Sequence, residues 1–199
     1  MVAPRAQEND VRIATLSAAM RLFATHGFEG TAVQDIADAV GVTKPAVLHY
    51  FPSKEHVRQA VLDAILSHWN EALPRLLLAA SAGGDRFDAV FGELTRFFAA
   101  DPDRARMIVR EALDRPREVR KLVRGAVRPW LAAVAGYIRA GKEKGIHHPD
   151  VDEEAYVAHI LLLVLTATAS YDLAPAVLKD DACPRFEREL ARIARASLF

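Results

Sequence analysis

The sequence predicts an all-α protein: a small N-terminal three-helix unit followed by a larger helical part, about nine helices in all. Three observations carry this. Apolar residues recur three and four positions apart along most of the chain, and no strand-like alternation of weight competes with them. Asp, Ser, Thr or Asn, often with Pro just behind, stand before these runs, and Gly closes several of them, as helix starts and stops require. Finally, residues 31–54, TAVQDIADAVGVTKPAVLHYFPSK, read as two short helices around a tight corner.

Taken in order, residues 1 to about 8 read as a disordered arm, and Asn9 or Asp10 caps the first helix, whose stripe is Ile13, Leu16, Met20 and Phe23. Gly27 ends it and Phe28 tucks back. Thr31 opens the second helix, with Gln34 completing a Thr-x-x-Gln capping box. Val33, Ile36, Ala37 and Val40 share its inner face, and Gly41 supplies the left-handed residue that stops it. Thr43 caps the third helix, residues 44–50, where Pro45 is tolerated in the first turn. Val47, Tyr50 and Phe51 turn inward there; Lys44, Ala46, Leu48 and His49 face out. Ser53 caps a fourth helix with Val57, Val61, Leu62, Ile65 and Trp69 inward, and Pro74 near its end.

Residues 81–84, SAGG, are the clearest break. Residues 85–99 form a helix with Phe87, Phe91, Leu94 and Phe98 on one side. Asp101-Pro102 opens the next, through Met107 and Val109 to Leu113. Arg115-Pro116 opens a long one reaching about residue 144, with Trp130, Val134 and Ile138 inward and a kink at Pro129. After the loop 145–150, Asp150-x-x-Glu153 caps a helix reaching about residue 171, apolar nearly all round. Residues 172–183 connect it to an amphipathic last helix, 184–198, through Phe186, Leu190 and Ile193.

Two helices joined by a short Gly-containing turn form a helix-turn-helix, whose second helix enters the DNA major groove. A plain helical hairpin is the alternative, and the flanking residues decide. The run LFATHGFEGTAVQDIADAVGVTKPAVLHYFPSKE resembles the DNA-binding domain of the tetracycline-repressor (TetR) family of transcriptional regulators, over roughly residues 9 to 66. The resemblance implies a DNA-binding domain at 1–53 and a ligand-binding and dimerisation domain at 54–199. It puts Thr31, Thr43, Lys44, Pro45, Leu48, His49, Tyr50 and Lys54 at the family's DNA-contacting positions. Thr31, Tyr50 and Lys54 then touch phosphate, and Lys44 a guanine edge or a phosphate. The family usually carries an aromatic at the position of Leu48, and here the aromatics come one and two places later. Leu48 meets a thymine methyl, or the phosphate clamp shifts to His49 and Tyr50.

Charge fits this reading less well. The net charge is zero, and residues 1–60 hold six basic and six acidic side chains, so the broad basic footprint of a nucleic-acid binder is missing. Placement has to compensate: Lys44 and Lys54 lie near helix starts, whose N–H groups also favour phosphate.

The resemblance further implies a homodimer, double-stranded operator DNA as partner, and a small-molecule effector among the middle helices. An almost wholly apolar helix needs cover on more than one side, and the resemblance implies that the last two helices pair with the twofold mate, so Ile160, Leu162, Leu163, Leu165, Phe186, Leu190 and Ile193 are the expected dimer residues; a helix buried within its own chain is the alternative. His68, Trp69, Phe91, Leu94, Phe98, Met107, Trp130 and Tyr137 are the expected pocket, mostly apolar, which implies a hydrophobic effector. An architectural or partner-responsive DNA-binding protein of the same fold, with no small-molecule pocket, is the other reading.

Other chemistry has little support. No nucleophile elbow, phosphate-binding loop, dinucleotide fingerprint or zinc-protease motif occurs, so no enzyme activity and no cofactor is expected. His147, His148, Asp150 and Asp152 form a weak metal candidate, with the Asp residues better used as helix caps. His159 reads as a hydrogen-bonded core histidine, and His68 as partly exposed. Cys183 stands without a second cysteine to resolve an oxidised thiol and implies no disulfide, which suits a reducing cytoplasm. The N-terminus lacks the apolar run of a signal peptide, and no apolar run is long enough to span a bilayer.

Overall fold

A computed structural model describes residues 4–81 and 86–199. Its helices are α1 (Pro4–His26), α2 (Val33–Val40), α3 (Lys44–Tyr50), α4 (Lys54–Ser81), α5 (Arg86–Ala99), α6 (Pro102–Asp114), α7 (Pro116–Leu122), α8 (Arg128–Glu143), α9 (Glu153–Ala169), α10 (Ala174–Val177) and α11 (Ala182–Ala196). Among the described residues there is no strand, and no single helix is long and apolar enough to cross a membrane. The nine expected helices are present. The seventh is divided by a π-helical turn, Val123–Val127, and the one-turn α10 was not anticipated. Of the expected break at residues 81–84, Ser81 is the last residue of α4 and the rest lies outside the described residues, as does the tip of the expected arm.

Helix α1 corrects the sequence reading. It runs through Asn9 and Asp10, the expected caps, back to Pro4. Pro is suited to a first helical position, and Arg, Ala, Gln and Glu behind it are strong helix formers. Its buried face is Thr15, Ala18, Ala19 and Phe23, while Ile13 is 55% exposed. The small pair Ala18 and Ala19 lets neighbouring helices approach closely and so sets the face. Thr15 satisfies its hydroxyl locally, donating to the Val11 carbonyl at 2.8 Å.

The start of α2 is capped one residue later than expected. Ala32 is the cap residue, and its N–H donates to the Asp35 carboxylate at 2.7 Å. Only this half of a capping box is possible, because Ala32 brings no side-chain oxygen. Thr31 is buried instead, donating to the Gly27 carbonyl at 2.9 Å, and Gln34 donates to Asp38. Gly41 closes α2 with φ at +77°, a conformation glycine adopts without strain. At α9 the cap likewise moves from Asp150 to Asp152, whose carboxylate accepts from the Ala155 N–H at 2.9 Å. Pro129 has no N–H for the Gly125 carbonyl and its ring crowds that oxygen; the π turn before it takes up the misfit.

Two apolar clusters hold the chain. The first joins Phe23, Ile36, Ala37, Val47 and Phe51 to Val57, Val61, Leu62 and Ile65 of α4, with Met107 inserted from α6. The second is built from α5, α6, α8, α9 and α11 around Trp69, Trp130, the phenylalanines of α5, and Leu198. Helix α4 serves both, with its N-terminal half in the first cluster and Trp69 and Ala72 in the second.

Candidate nucleic-acid interface, cavities and partner surface

Buried Val47 and Phe51 anchor α3 so that its remaining side chains form one outward face. Thr43, Lys44, Pro45 and His49 are exposed, and Leu48 and Tyr50 are half-buried. Thr43 is partly committed, since its oxygen accepts from the Ala46 N–H at 3.4 Å. The His49 and Tyr50 rings meet edge-on at 5.3 Å, which fixes their relative orientation. Two of the eight expected contact residues are engaged inside the protein. Thr31 is 1% exposed. The Lys54 ammonium donates to the Phe28 carbonyl at 2.8 Å and lies 4.2 Å from the centre of the Phe28 ring. Lys54 therefore ties the turn after α1 to the start of α4, with donor capacity left over.

Sequence reasoning missed the charged cluster behind this face. Arg58 is 2% exposed and Glu111 3% exposed. The Arg58 guanidinium donates to Glu111 of α6, to Glu118 of α7 at 2.8 Å and to Glu55 at 2.7 Å. Arg115 adds a longer contact to Glu55, and its guanidinium also lies 4.4 Å from the centre of the Phe28 ring. Arg110 of α6 donates to the Ala24 and Thr25 carbonyls at 2.9 and 3.0 Å, closing the C-terminus of α1. Burial pushes the Glu111 carboxyl up, and Arg58 only partly offsets it. Burial also pushes Glu55 up, but hydrogen bonds and charge from Arg58, then Arg115, outweigh it and hold that carboxyl low. The local pair, Glu55 and Arg58 three apart, was visible in the sequence; partners 53 and 60 residues away were not.

A cavity of about 270 Å³ lies among α4 to α9, and its lining is wholly apolar, including Leu66, Trp69, Phe98, Val127, Leu131 and Leu161. Of the expected pocket residues, Trp69 and Phe98 line it. Phe91, Leu94, Trp130 and Tyr137 line a second, much smaller apolar space of about 40 Å³ between α5, α8 and α9. Trp69 and Trp130 meet edge-on at 5.3 Å between the two. Met107 is not at either cavity; it belongs to the N-terminal cluster. His68 is exposed and faces a groove against α1. The π turn supplies Val123 and Val127 to the larger cavity, a contribution that helical periodicity alone does not indicate.

Residues 159, 162, 163 and 166 of α9, with Ser170 just after it, are exposed along one side. Leu162 is 54% and Leu163 38% exposed, and Ile193 on α11 is 46% exposed. Phe186 and Leu190 are half-buried. Leu165 is buried in the chain's own core, and Ile160 packs against that core, so neither is presented to a partner as fully as expected. His159 is exposed, correcting its reading as a core histidine: it sits on the outward stripe. The buried histidine is His147, whose Nδ1 lies 3.0 Å from the Ile138 carbonyl. Among the described residues no three His, Cys, Asp or Glu side chains converge as a metal site would need.

Residues 16–61 match the family model described as bacterial regulatory proteins, tetR family. The HTH-type transcriptional regulator RutR of Escherichia coli K12 is 31% identical over 171 residues, covering 82% of this chain and 75% of RutR. The HTH-type transcriptional regulator EthR of Mycolicibacterium smegmatis is 30% identical over 144 residues, 71% of this chain. The matched part spans just under two thirds of EthR, 65% of its length. Among solved structures, the ketosteroid transcriptional regulator KstR2 of Mycobacterium tuberculosis superposes with a TM-score of 0.71 at 19% identity, over 100% of this chain and 96% of that one, a likeness of fold.

Proposed function

The chain belongs to the tetR family of bacterial regulatory proteins, and we propose on that footing that it is a homodimeric repressor released from a palindromic operator by a small hydrophobic molecule. It is a helix-turn-helix transcriptional regulator, not an enzyme. In the proposed complex α3 lies in the major groove. Lys44, Pro45 and His49 approach base edges, and Leu48 is placed to meet a thymine methyl. Thr43, Tyr50 and Lys54 serve the phosphates, while Thr31 supports the fold of the corner from inside. The exposed stripe of α9, with Leu162 and Leu163, and the face of α11 around Phe186, Leu190 and Ile193 pair with a second copy.

The observation that supports the effector reading is the wholly apolar cavity against α4 and α6. Both helices also enter the N-terminal cluster, through Val61 and Met107. A ligand that fits better when α4 and α6 are spread shifts the population toward dimers whose recognition helices no longer match successive major grooves. A tenfold loss of operator affinity needs only about 1.4 kcal/mol of differential binding. The test is footprinting on the DNA upstream of the protein's own gene, followed by a screen of apolar metabolites for release. Two protected half-sites about one helical turn apart are expected, cleared by an apolar compound. Protection that no such compound relieves would favour the architectural or partner-responsive reading.

A further inference from the structure

A second opening in the fold lies at the C-terminal end of α8. A cleft of about 490 Å³, within the size range of small-molecule sites, opens between the start of α5, the end of α8 and the end of α11. It shares no lining residue with the apolar cavity among α4 to α9. Its wall is His147, 3% exposed. The imidazole lies flat against Gly141, where a Cβ would stand 2.0 Å from Nδ1, so this position admits only glycine while the ring is there. A carbonyl can only accept, so the proton facing Ile138 is on Nδ1. Nε2 of the neutral ring is then an acceptor, and it is buried without a partner. Buried polar atoms are nearly always satisfied, and an exception calls for an explanation.

The surroundings say what would satisfy it. Tyr137 and Phe199 meet the His147 ring edge-on at 5.2 and 5.1 Å. Three cations line the cleft: Arg86 over the Tyr137 ring, Arg195 over the Phe199 ring, and Lys144 at the end of α8. Asp88 engages Arg195 at 3.1 Å. Phe199 is 47% exposed, and turning it aside is the simplest way to bring a ligand to Nε2. We propose that this cleft binds small aromatic carboxylates that carry a hydroxyl: the hydroxyl donates to His147 Nε2, the ring stacks among Tyr137 and Phe199, and the carboxylate meets Lys144. The site is separate from the proposed effector cavity and stands or falls independently of it.

Titration calorimetry of the full chain with salicylate, 3-hydroxybenzoate and 4-hydroxybenzoate tests this, with benzoate lacking the donor and phenol lacking the charge. At least one hydroxybenzoate is expected to bind saturably, ten times or more tightly than benzoate or phenol. His147→Phe should reduce that ligand to the benzoate level. Lys144→Gln should weaken that ligand and benzoate and leave phenol alone. Leu131→Trp, which fills the other cavity, should change none of them. No saturable binding, no preference over benzoate, or binding lost with Leu131→Trp and kept with His147→Phe would each overturn the site. Should His147→Phe fail to fold by circular dichroism, the ligand comparison and Lys144→Gln decide the matter.

Discussion

Arg58 accounts for much of the charge balance that the sequence left awkward. It is one of six cations in residues 1–60, yet it faces Glu111 in the interior and is not on the surface that α3 presents. Removing one partner of a buried pair leaves the other uncompensated, which costs about 3–5 kcal/mol. Arg58→Leu should therefore lower stability in urea unfolding by that amount, and Arg58→Leu with Glu111→Leu should recover most of it. A single variant as stable as the parent would mean that Glu111 is not held as a charge. Lys44 is the opposite case, an exposed side chain at the first position of α3. Lys44→Ala should leave the melting temperature unchanged, weaken operator binding, and flatten its salt dependence by about one phosphate contact if the ammonium meets phosphate. Equal binding by variant and parent across a salt series would remove Lys44 from the interface. Local signals made Lys44, Thr43 and Gly41 legible, because caps and turns are decided within four residues. Arg58 was not legible, because its partners come from α6 and α7.

Whole helices were more legible than their faces. The stripe Val57, Val61, Leu62, Ile65 and Trp69 was readable because those residues are large and α4 is buried on that side. The stripe of α1 holds at Leu16, Met20 and Phe23 but not at Ile13, and it omits Ala18 and Ala19, which bury by closeness, not by bulk, while periodicity weighs bulk. Helix α9 was apolar nearly all round, so no pattern could say that Leu165 turns inward and Leu163 outward. What fixes its rotation is partly polar: the Tyr156 hydroxyl donates to the Ala194 carbonyl at 2.6 Å, pinning α9 to α11. Burial pushes that hydroxyl up to about 12 from its ordinary 10. The folded chain thus keeps a proton that the unfolded chain releases, so this contribution is intact below pH 10 and is lost as pH rises toward 12. Tyr156→Phe should cost about 1 kcal/mol at neutral pH for the lost hydrogen bond. Its deficit should shrink in urea unfolding between pH 10 and 12; a constant deficit would mean that the hydroxyl titrates normally.

At the scale of the molecule, the two surfaces that matter most are an exposed apolar one and a hollow one. The outward leucines of α9 need cover, and Leu163→Asp should move the mass in light scattering from about twice 21.9 kDa to 21.9 kDa without loss of helix. A parent protein that scatters as a monomer at micromolar concentration would rule out the pairing. The hollow carries its own reporter. Trp69 and Trp130 are the protein's two tryptophans, both are buried, and their rings touch edge-on. Trp69 lines the apolar cavity and Trp130 the small space beside it. A ligand entering the cavity changes the polarity around Trp69 and, through the ring contact, the environment of Trp130. Because α4 carries Trp69 and also reaches the N-terminal cluster, operator DNA should shift the same emission, in the sense opposite to that of a releasing ligand. Substituting Trp130→Phe should leave both responses in place, while Trp69→Phe should remove most of each. A compound that clears the operator yet leaves emission and quencher access unchanged would have to act outside this cavity.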